Sequence, residues 1–219
     1  MSAQTDNIIL LHGLARTDRS MHKLQRALQK EGYSVHNVGY ASTRNNIETL
    51  AEESIGRVLT ACSAAGKVHF VTHSLGGILV RQYLRHHQID NLGRVVMLGP
   101  PNKGSEVVDK LRDFPGFYFL HGEAGLELGT GESSVPNSLG KANFDLGVIA
   151  GTRSVNLILS RMIPGADDGK VSVENTRLEG MSDHLEMGVT HTFMMRDSKV
   201  IDQVIHYLRF GSFRRESDC

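Results

Sequence analysis

A serine set between an apolar run and a helix-like segment constrains this fold more than any other feature. The segment Val68–Gly77 reads VHFVTHSLGG, and its serine is Ser74. A serine in this setting sits on a sharp strand-to-helix turn with its hydroxyl exposed at the top of a sheet. Because the two backbones approach closely there, the positions two before and two after the serine must be small. Gly76 meets that requirement, whereas Thr72 stands where the usual G-x-S-x-G pattern has its first glycine.

The alternative interpretation of Ser74 is an ordinary helix N-cap, since serine is among the commonest capping residues. A strained turn persists only where its surroundings enforce it, and such strain concentrates at functional sites. The motif alone fits both a strained nucleophile turn and a helix N-cap. Other segments of the chain are needed to distinguish these two interpretations.

A second segment, Ile8–Leu11, is a short apolar strand that ends in His12 and Gly13. The glycine allows a sharp turn, so that a backbone N–H points into the space above the sheet. Acyl transfer needs two such donors to hold the oxygen of a tetrahedral intermediate. The predicted pair is the N–H of Leu14 and the N–H of Leu75, and the alternative is a plain strand-to-helix loop.

The third segment carries adjacent carboxylates, Asp167 and Asp168, before Gly169. An acidic residue before glycine is also a good turn former, so a surface turn is the simpler interpretation. A calcium loop fits less well, because the alternating acidic ligands are missing.

A fourth segment, Glu186–Phe193, looks like a short strand that carries His191 near its end. The chain has eleven histidines, and His191 stands out because it lies downstream of Asp168, which itself lies downstream of Ser74. His184 competes with it but lies before this predicted strand.

The order Ser74, Asp168, His191, together with the His-Gly loop, resembles the α/β-hydrolase superfamily, in which the triad follows that order. More narrowly, the chain is similar to the small bacterial lipase and esterase branch without a large cap domain. The resemblance runs from about Ile8 to Leu208, and the loop Gly99–Ser105 supports it, since similar loops line the site in that branch.

This resemblance implies a carboxylic ester hydrolase in which Ser74 is the nucleophile, His191 the base and Asp168 the acid, with Asp167 as the adjacent alternative. The same triad would serve a thioesterase or an acyltransferase, and a non-catalytic binding protein on this fold is a further alternative. The absence of a cap domain favours short to medium acyl chains and an accessible pocket. His12, Gly13, His73, Phe117 and Phe119 are the predicted substrate-binding residues.

Composition excludes several other classes of function. The 219 residues include 24 Lys and Arg and 24 Asp and Glu, so the chain lacks the basic footprint of a nucleic-acid-binding protein. No segment is apolar over the length that a membrane span requires, and the polar start lacks the basic region of a signal peptide. With two cysteines, Cys62 and Cys219, and no zinc-ligand spacing, we expect a cytoplasmic protein without cofactor or metal that acts on a small-molecule ester. The oligomeric state is left open.

Apolar strands alternate with amphipathic helices along the chain, which predicts one α/β domain with a mostly parallel sheet of about six strands and helices on both faces. The predicted strands are Ile8–Leu11, Ser34–Val38, Val68–Thr72, Arg94–Leu98, Phe144–Ala150 and Leu185–Val189; the predicted helices are Arg19–Lys30, Ile47–Ala61, Leu75–His86, Ser105–Leu111 and Lys199–Leu208. Ligands bind at the carboxyl ends of such strands.

Two segments lie outside this alternation. The stretch 112–143 carries several aromatic residues, among them Phe114, Phe117, Tyr118 and Phe119, and is either a flap that contacts an acyl chain or a surface excursion whose aromatics fill the core. The tail 211–219 is expected to fray.

Overall fold

The fold is built on one sheet of six parallel strands, in the order β2-β1-β3-β4-β5-β6. The computed structural model describes residues 5–62, 65–154 and 163–215. The strands are β1 (Asn7–Leu11), β2 (Ser34–Val38), β3 (Val68–His73), β4 (Leu92–Leu98), β5 (Leu146–Gly151) and β6 (Asp183–Met187). The predicted parallel α/β fold is confirmed, and β3, which leads to Ser74, lies near the middle of the sheet.

Helices cover both faces of this sheet. They are α1 (His22–Lys30), preceded by a 3₁₀ turn Asp18–Met21; α2 (Ile47–Ala51), which continues through a π-helical turn Glu52–Gly56 into α3 (Arg57–Leu59); α4 (Leu75–His86); α5 (Glu106–Leu111); α6 (Phe117–Leu126); α7 (Val135–Ser138); α8 (Val173–Thr176); and α9 (Ser198–Phe210), which follows a 3₁₀ turn Met194–Arg196. Among the helices described, none has the length and apolarity needed to cross a bilayer.

Alternation of side chains along the buried strands explains the two layers. In β1, Ile9 and Leu11 pack in one cluster with α2 and α4, whereas Ile8 and Leu10 pack in a second cluster with α1 and α9. Successive strand residues face opposite sides, so each buried strand supplies both layers. All five positions of β1 are buried, as expected for a parallel strand covered on two faces.

Strand and helix boundaries differ from the prediction mostly by one to two residues. The difference matters at β6, which spans Asp183–Met187 instead of Leu185–Val189. His184 therefore lies within the strand, and His191 lies four residues beyond its end in the connection to α9. Asp183 and His184 are polar, so the apolar pattern that predicts a strand begins only after them. Polar residues are tolerated at the start of this edge strand because its side chains are only half buried.

The tail is more ordered than predicted over residues 211–215. Phe213 is buried, with its ring centroid 4.8 Å from that of Tyr207, and its backbone N–H donates to Asp183. An apolar anchor of this kind holds a terminus against the fold. Residues 216–219 lie outside the described residues.

A buried arginine ties α4 to the loop after β4. Arg81 is 5% exposed, and its guanidinium donates to the carbonyl oxygens of Asn102, Pro136 and Gly140. A guanidinium offers five N–H donors in a fixed fork, so one side chain fixes two loops against the helix that begins at Ser74. The sequence analysis did not single out this residue.

Candidate active site

The backbone at Ser74 adopts the strained conformation expected of the sharp turn. Ser74 has φ 52° and ψ −120°, and it joins β3 directly to α4. Its side chain makes no capping hydrogen bond to the helix, which argues against the N-cap interpretation. A Cβ added to Gly76 would lie 2.6 Å from the carbonyl oxygen of Leu11, so only glycine allows α4 to pass this close to β1. Thr72, the departure from the usual motif, is fully buried.

The loop after β1 approaches Ser74 closely enough to require glycine at position 13. A Cβ on Gly13 would lie 2.7 Å from His73 Nδ1 and 3.2 Å from Ser74 Cβ. The next residue, Leu14, lines the same cavity as Ser74. Ala15 follows at φ 53°, and its N–H donates to Ser42 Oγ at 3.0 Å. This second strained residue turns the loop directly after Leu14.

His12 lies in the core below this loop rather than in the cavity. Its ring is fully buried and stacks on Tyr40 with centroids 4.0 Å apart, and its Nε2 accepts the backbone N–H of Tyr40. Burial lowers the pKa of His12. The structure therefore gives His12 contacts that hold the loop, with no contact to the cavity.

His191 and Asp168 form a buried pair. His191 Nδ1 donates to Asp168 Oδ2 at 2.7 Å, and the Asp168 side chain is 0% exposed. The other carboxylate oxygen, Oδ1, accepts the backbone N–H groups of Lys170 and Val171 at 3.0 and 2.9 Å. Backbone donors of this kind stabilise the charged carboxylate. The backbone N–H of His191 also donates to the Asp168 carbonyl at 2.9 Å, so the two residues are held together at two points.

The two alternatives have other contacts. Asp167 Oδ1 accepts the N–H of Gly169 at 2.7 Å, which is a turn-forming contact. His184 Nε2 contacts Thr176 Oγ1 at 2.9 Å, and burial lowers the pKa of His184 to about 4. Neither residue lines the cavity that holds Ser74.

His73 lies between His191 and the loop after β1. Its Nε2 donates to the carbonyl oxygen of His191 at 2.9 Å, and the two ring centroids are 4.8 Å apart. Burial, reinforced by His191, holds the pKa of His73 well below its usual value. A neutral His73 thus supports the backbone of His191, and it also borders the cavity.

Gly99, just after β4, packs directly against the His191–Asp168 pair. A Cβ there would lie 2.9 Å from Asp168 Oδ2 and 3.1 Å from His191 Nδ1, and the residue has φ 54°. Only glycine fits both the space and the backbone. Gly99 belongs to the predicted site-lining loop, but no local sequence pattern signals its contact with His191 and Asp168.

A cavity of about 230 Å³ connects Ser74 with His191. Its apolar wall comes mainly from α5 and the start of α6, where Phe117 is 7% exposed and lies within the cavity wall. Phe119 does not reach it: its side chain is 88% exposed on the solvent side of α6. Phe114 and Tyr118 are also exposed, so the predicted aromatic cluster contributes one residue to the cavity.

A second cleft on the surface contains none of the predicted site residues. This larger cleft of about 520 Å³ lies between the end of β2 and the α2–α3 helix. Within the described ranges, no group of three or more His, Cys, Asp or Glu residues is placed to hold a metal ion.

A family model described as palmitoyl protein thioesterase matches residues 7–142, which is more than half of the chain. The chain belongs to this family. The matched region contains Gly13, Ser74 and Gly99 and ends before Asp168 and His191.

Solved structures with the same fold include hydrolases of several kinds. The mature lipase BlEst2 of Bacillus licheniformis is 19% identical with a TM-score of 0.70, over 94% of this chain and 93% of that one. Phospholipase PlaB of Legionella pneumophila is 17% identical with a TM-score of 0.74, over 96% of this chain and 60% of that one. Lipase B of Aspergillus fumigatus is 14% identical with a TM-score of 0.70, over 100% of this chain and 56% of that one.

These findings confirm the resemblance to the α/β-hydrolase superfamily and the prediction of a serine ester hydrolase. At such identities the structures share a fold with this chain, and they do not identify its substrate or assign its residues.

Proposed function

We propose that this protein cleaves carboxylic esters through an acyl-enzyme intermediate on Ser74, with His191 as the base and Asp168 as the acid. One observation carries the proposal: His191, whose ring is hydrogen-bonded to the buried Asp168, lines the same cavity as Ser74 on its strained turn. In the chain, Ser74 follows β3, Asp168 comes after β5 and His191 comes after β6. They therefore meet at the carboxyl edge of the sheet, where ligands bind in folds of this class.

In the first step, His191 takes the proton of the Ser74 hydroxyl while Oγ attacks the carbonyl carbon of the ester. Because Nδ1 donates to Asp168, Nε2 is the nitrogen that is free to accept this proton, and the carboxylate stabilises the imidazolium that forms. The N–H groups of Leu14 and Leu75 would hold the negatively charged oxygen of the tetrahedral intermediate.

The intermediate then expels the alcohol, which takes the proton from His191, and leaves the acyl group on Ser74. Water attacks this acyl-serine with His191 again as base, and the acid and free enzyme are released. Leu75 begins α4, whose N-terminal N–H groups and dipole favour negative charge at this point.

A thioesterase is the second candidate, because the family model that matches this chain is described as a palmitoyl protein thioesterase. The same residues would attack a thioester and release a thiol. A cytoplasmic location and a small-molecule substrate stay predictions under either activity.

Covalent labelling and a substrate panel test the proposal together. A fluorophosphonate should label Ser74, located by peptide mass spectrometry, and should abolish hydrolysis of p-nitrophenyl esters. Comparing kcat/KM for p-nitrophenyl esters with that for acyl-thioesters of the same chain length separates the two activities. Labelling at another residue, or hydrolysis that survives full labelling of Ser74, would contradict the proposed role.

Phe117→Ala should change the preference among acyl lengths, because Phe117 lies within the cavity wall. One methylene in an apolar pocket is worth roughly 1–3 kcal/mol, so ratios of kcat/KM across a short-to-long ester series should shift at least several-fold. Phe119→Ala is the matched control, because its ring is exposed on the same helix. Melting curves are measured alongside, and unchanged ratios with a lower Tm would make Phe117 a core residue only.

A further inference from the structure

Two cations face the cavity beside Ser74. Arg16 and Lys170 both line the cavity and are half buried. Within the part of the chain that the structure describes, neither side chain forms a salt bridge or a hydrogen bond. By contrast, Lys103 pairs with Glu174 and Arg94 with Asp145.

The cations reach the cavity from two sides. Arg16 follows Leu14, the first proposed oxyanion donor, and the strained Ala15. Lys170 follows the Asp168–Gly169 turn. Lys170 is held in place by its backbone: its N–H donates to Asp168, and its carbonyl accepts the Ser105 hydroxyl. The ammonium group is therefore carried on a fixed turn beside the proposed acid.

The position of Lys170 is electrostatically unfavourable for a charged ammonium group. Burial lowers the pKa of Lys170, and the nearby Arg16 lowers it further. Asp168 attracts the ammonium, but its two oxygens already accept hydrogen bonds from His191 and two backbone N–H groups. Two like charges in a half-buried wall cost free energy, and a bound anion would offset that cost.

No acidic residue among the described residues that line the cavity supplies that anion. The rest of the lining is apolar, hydroxyl or imidazole, with the aliphatic side chains of α5 forming one wall. We infer that Arg16 and Lys170 form an anion subsite, and that the substrate is an ester carrying a carboxylate or phosphate close to the scissile bond. This inference rests on the proposed function and narrows its substrate class.

The test compares matched ester pairs that differ in one charge. The first pair, p-nitrophenyl hemiglutarate and p-nitrophenyl valerate, places the anion on the acyl group. The second, 4-butyryloxybenzoate and its methyl ester, places it on the leaving group. The readout is the ratio of kcat/KM for the anionic member to kcat/KM for the neutral member, in the wild type and in Arg16→Met, Lys170→Met and the double variant.

We expect each single variant to lower this ratio about fivefold or more in at least one pair, and the double variant to lower it further. The ester pair whose kcat/KM ratio falls in the variants shows whether the anion is bound on the acyl side or on the alcohol side. Raising the salt concentration should lower the wild-type ratio as well, because salt screens partly exposed charges. Lys30→Met, an exposed lysine at the end of α1, is the control for the loss of one positive charge.

A second arm distinguishes carboxylate from phosphate. Inhibition of valerate ester hydrolysis by hexyl phosphate is compared with inhibition by hexanoate, in the wild type and the double variant. Weaker inhibition of the variant by either compound supports the subsite, and the compound with the larger loss identifies the preferred anion.

Two results would count against these ideas, and they are distinguishable. If both ratios and both inhibition constants are the same in the wild type and the variants while Ser74 is labelled and neutral esters are cleaved, the anion subsite is wrong and the hydrolase stands. A role for the cations in stabilising Asp168 alone would produce this result, since it changes both members of a pair equally. If no ester or thioester is cleaved and Ser74 is not labelled, the proposed function itself fails.

Discussion

Replacing Ser74 by alanine should lower kcat on the order of 10⁴- to 10⁶-fold, as the loss of a triad serine does in other hydrolases. Without Oγ no acyl-enzyme can form, and the oxyanion donors and the cavity leave only a small residual rate. The Tm should hardly change, because the Ser74 side chain makes no capping hydrogen bond and alanine occupies the same space.

Ser105→Ala is the matched control, since Ser105 lines the same cavity but donates its hydroxyl to the Lys170 carbonyl. Its kcat should fall by less than about tenfold, a loss far below that of a triad member. Ester hydrolysis by Ser74→Ala within tenfold of the wild-type rate would exclude Ser74 as the nucleophile.

Asp168→Asn should lower kcat on the order of 10⁴-fold, because the amide no longer stabilises the imidazolium and favours the wrong tautomer of His191. Asp167→Asn is the control on the adjacent residue, whose Oδ1 serves the turn through Gly169. Its effect should be far smaller. The measurement is kcat for both variants on one p-nitrophenyl ester, and the reverse ranking would transfer the role to Asp167.

The predictable part of this molecule follows from short-range requirements. A strand buried on both faces is mostly apolar, so β1 and β5 are recognisable, and the alternation of strands with helices predicts the parallel sheet. The turn at Ser74 is equally local, because close packing against Leu11 demands a small residue at position 76. The order of Ser74, Asp168 and His191 then indicates which residues converge.

The residues that were missed act across long sequence distances. Gly99, just after β4, packs against His191 and Asp168, and Arg81 on α4 holds the carbonyl of Pro136. In the amino-acid sequence, a glycine in a loop and an arginine on a helix do not stand out from many others. The sequence also does not distinguish Phe117 from Phe119. Which of the two aromatic rings enters the cavity depends on how α6 is rotated against its neighbours.

The placement of His191, the proposed base, beside an edge strand has a consequence for how activity would be lost. Ser74 follows β3, which lies between β1 and β4 in the sheet. His191 follows β6, which pairs with one strand only among the described residues and has half-buried side chains. Free energies of local opening are lowest where few buried contacts hold an element. Hydrogen exchange should therefore be faster in β6 than in β3, and the enzyme would pass through states in which the nucleophile is still in place but its proton acceptor has moved away.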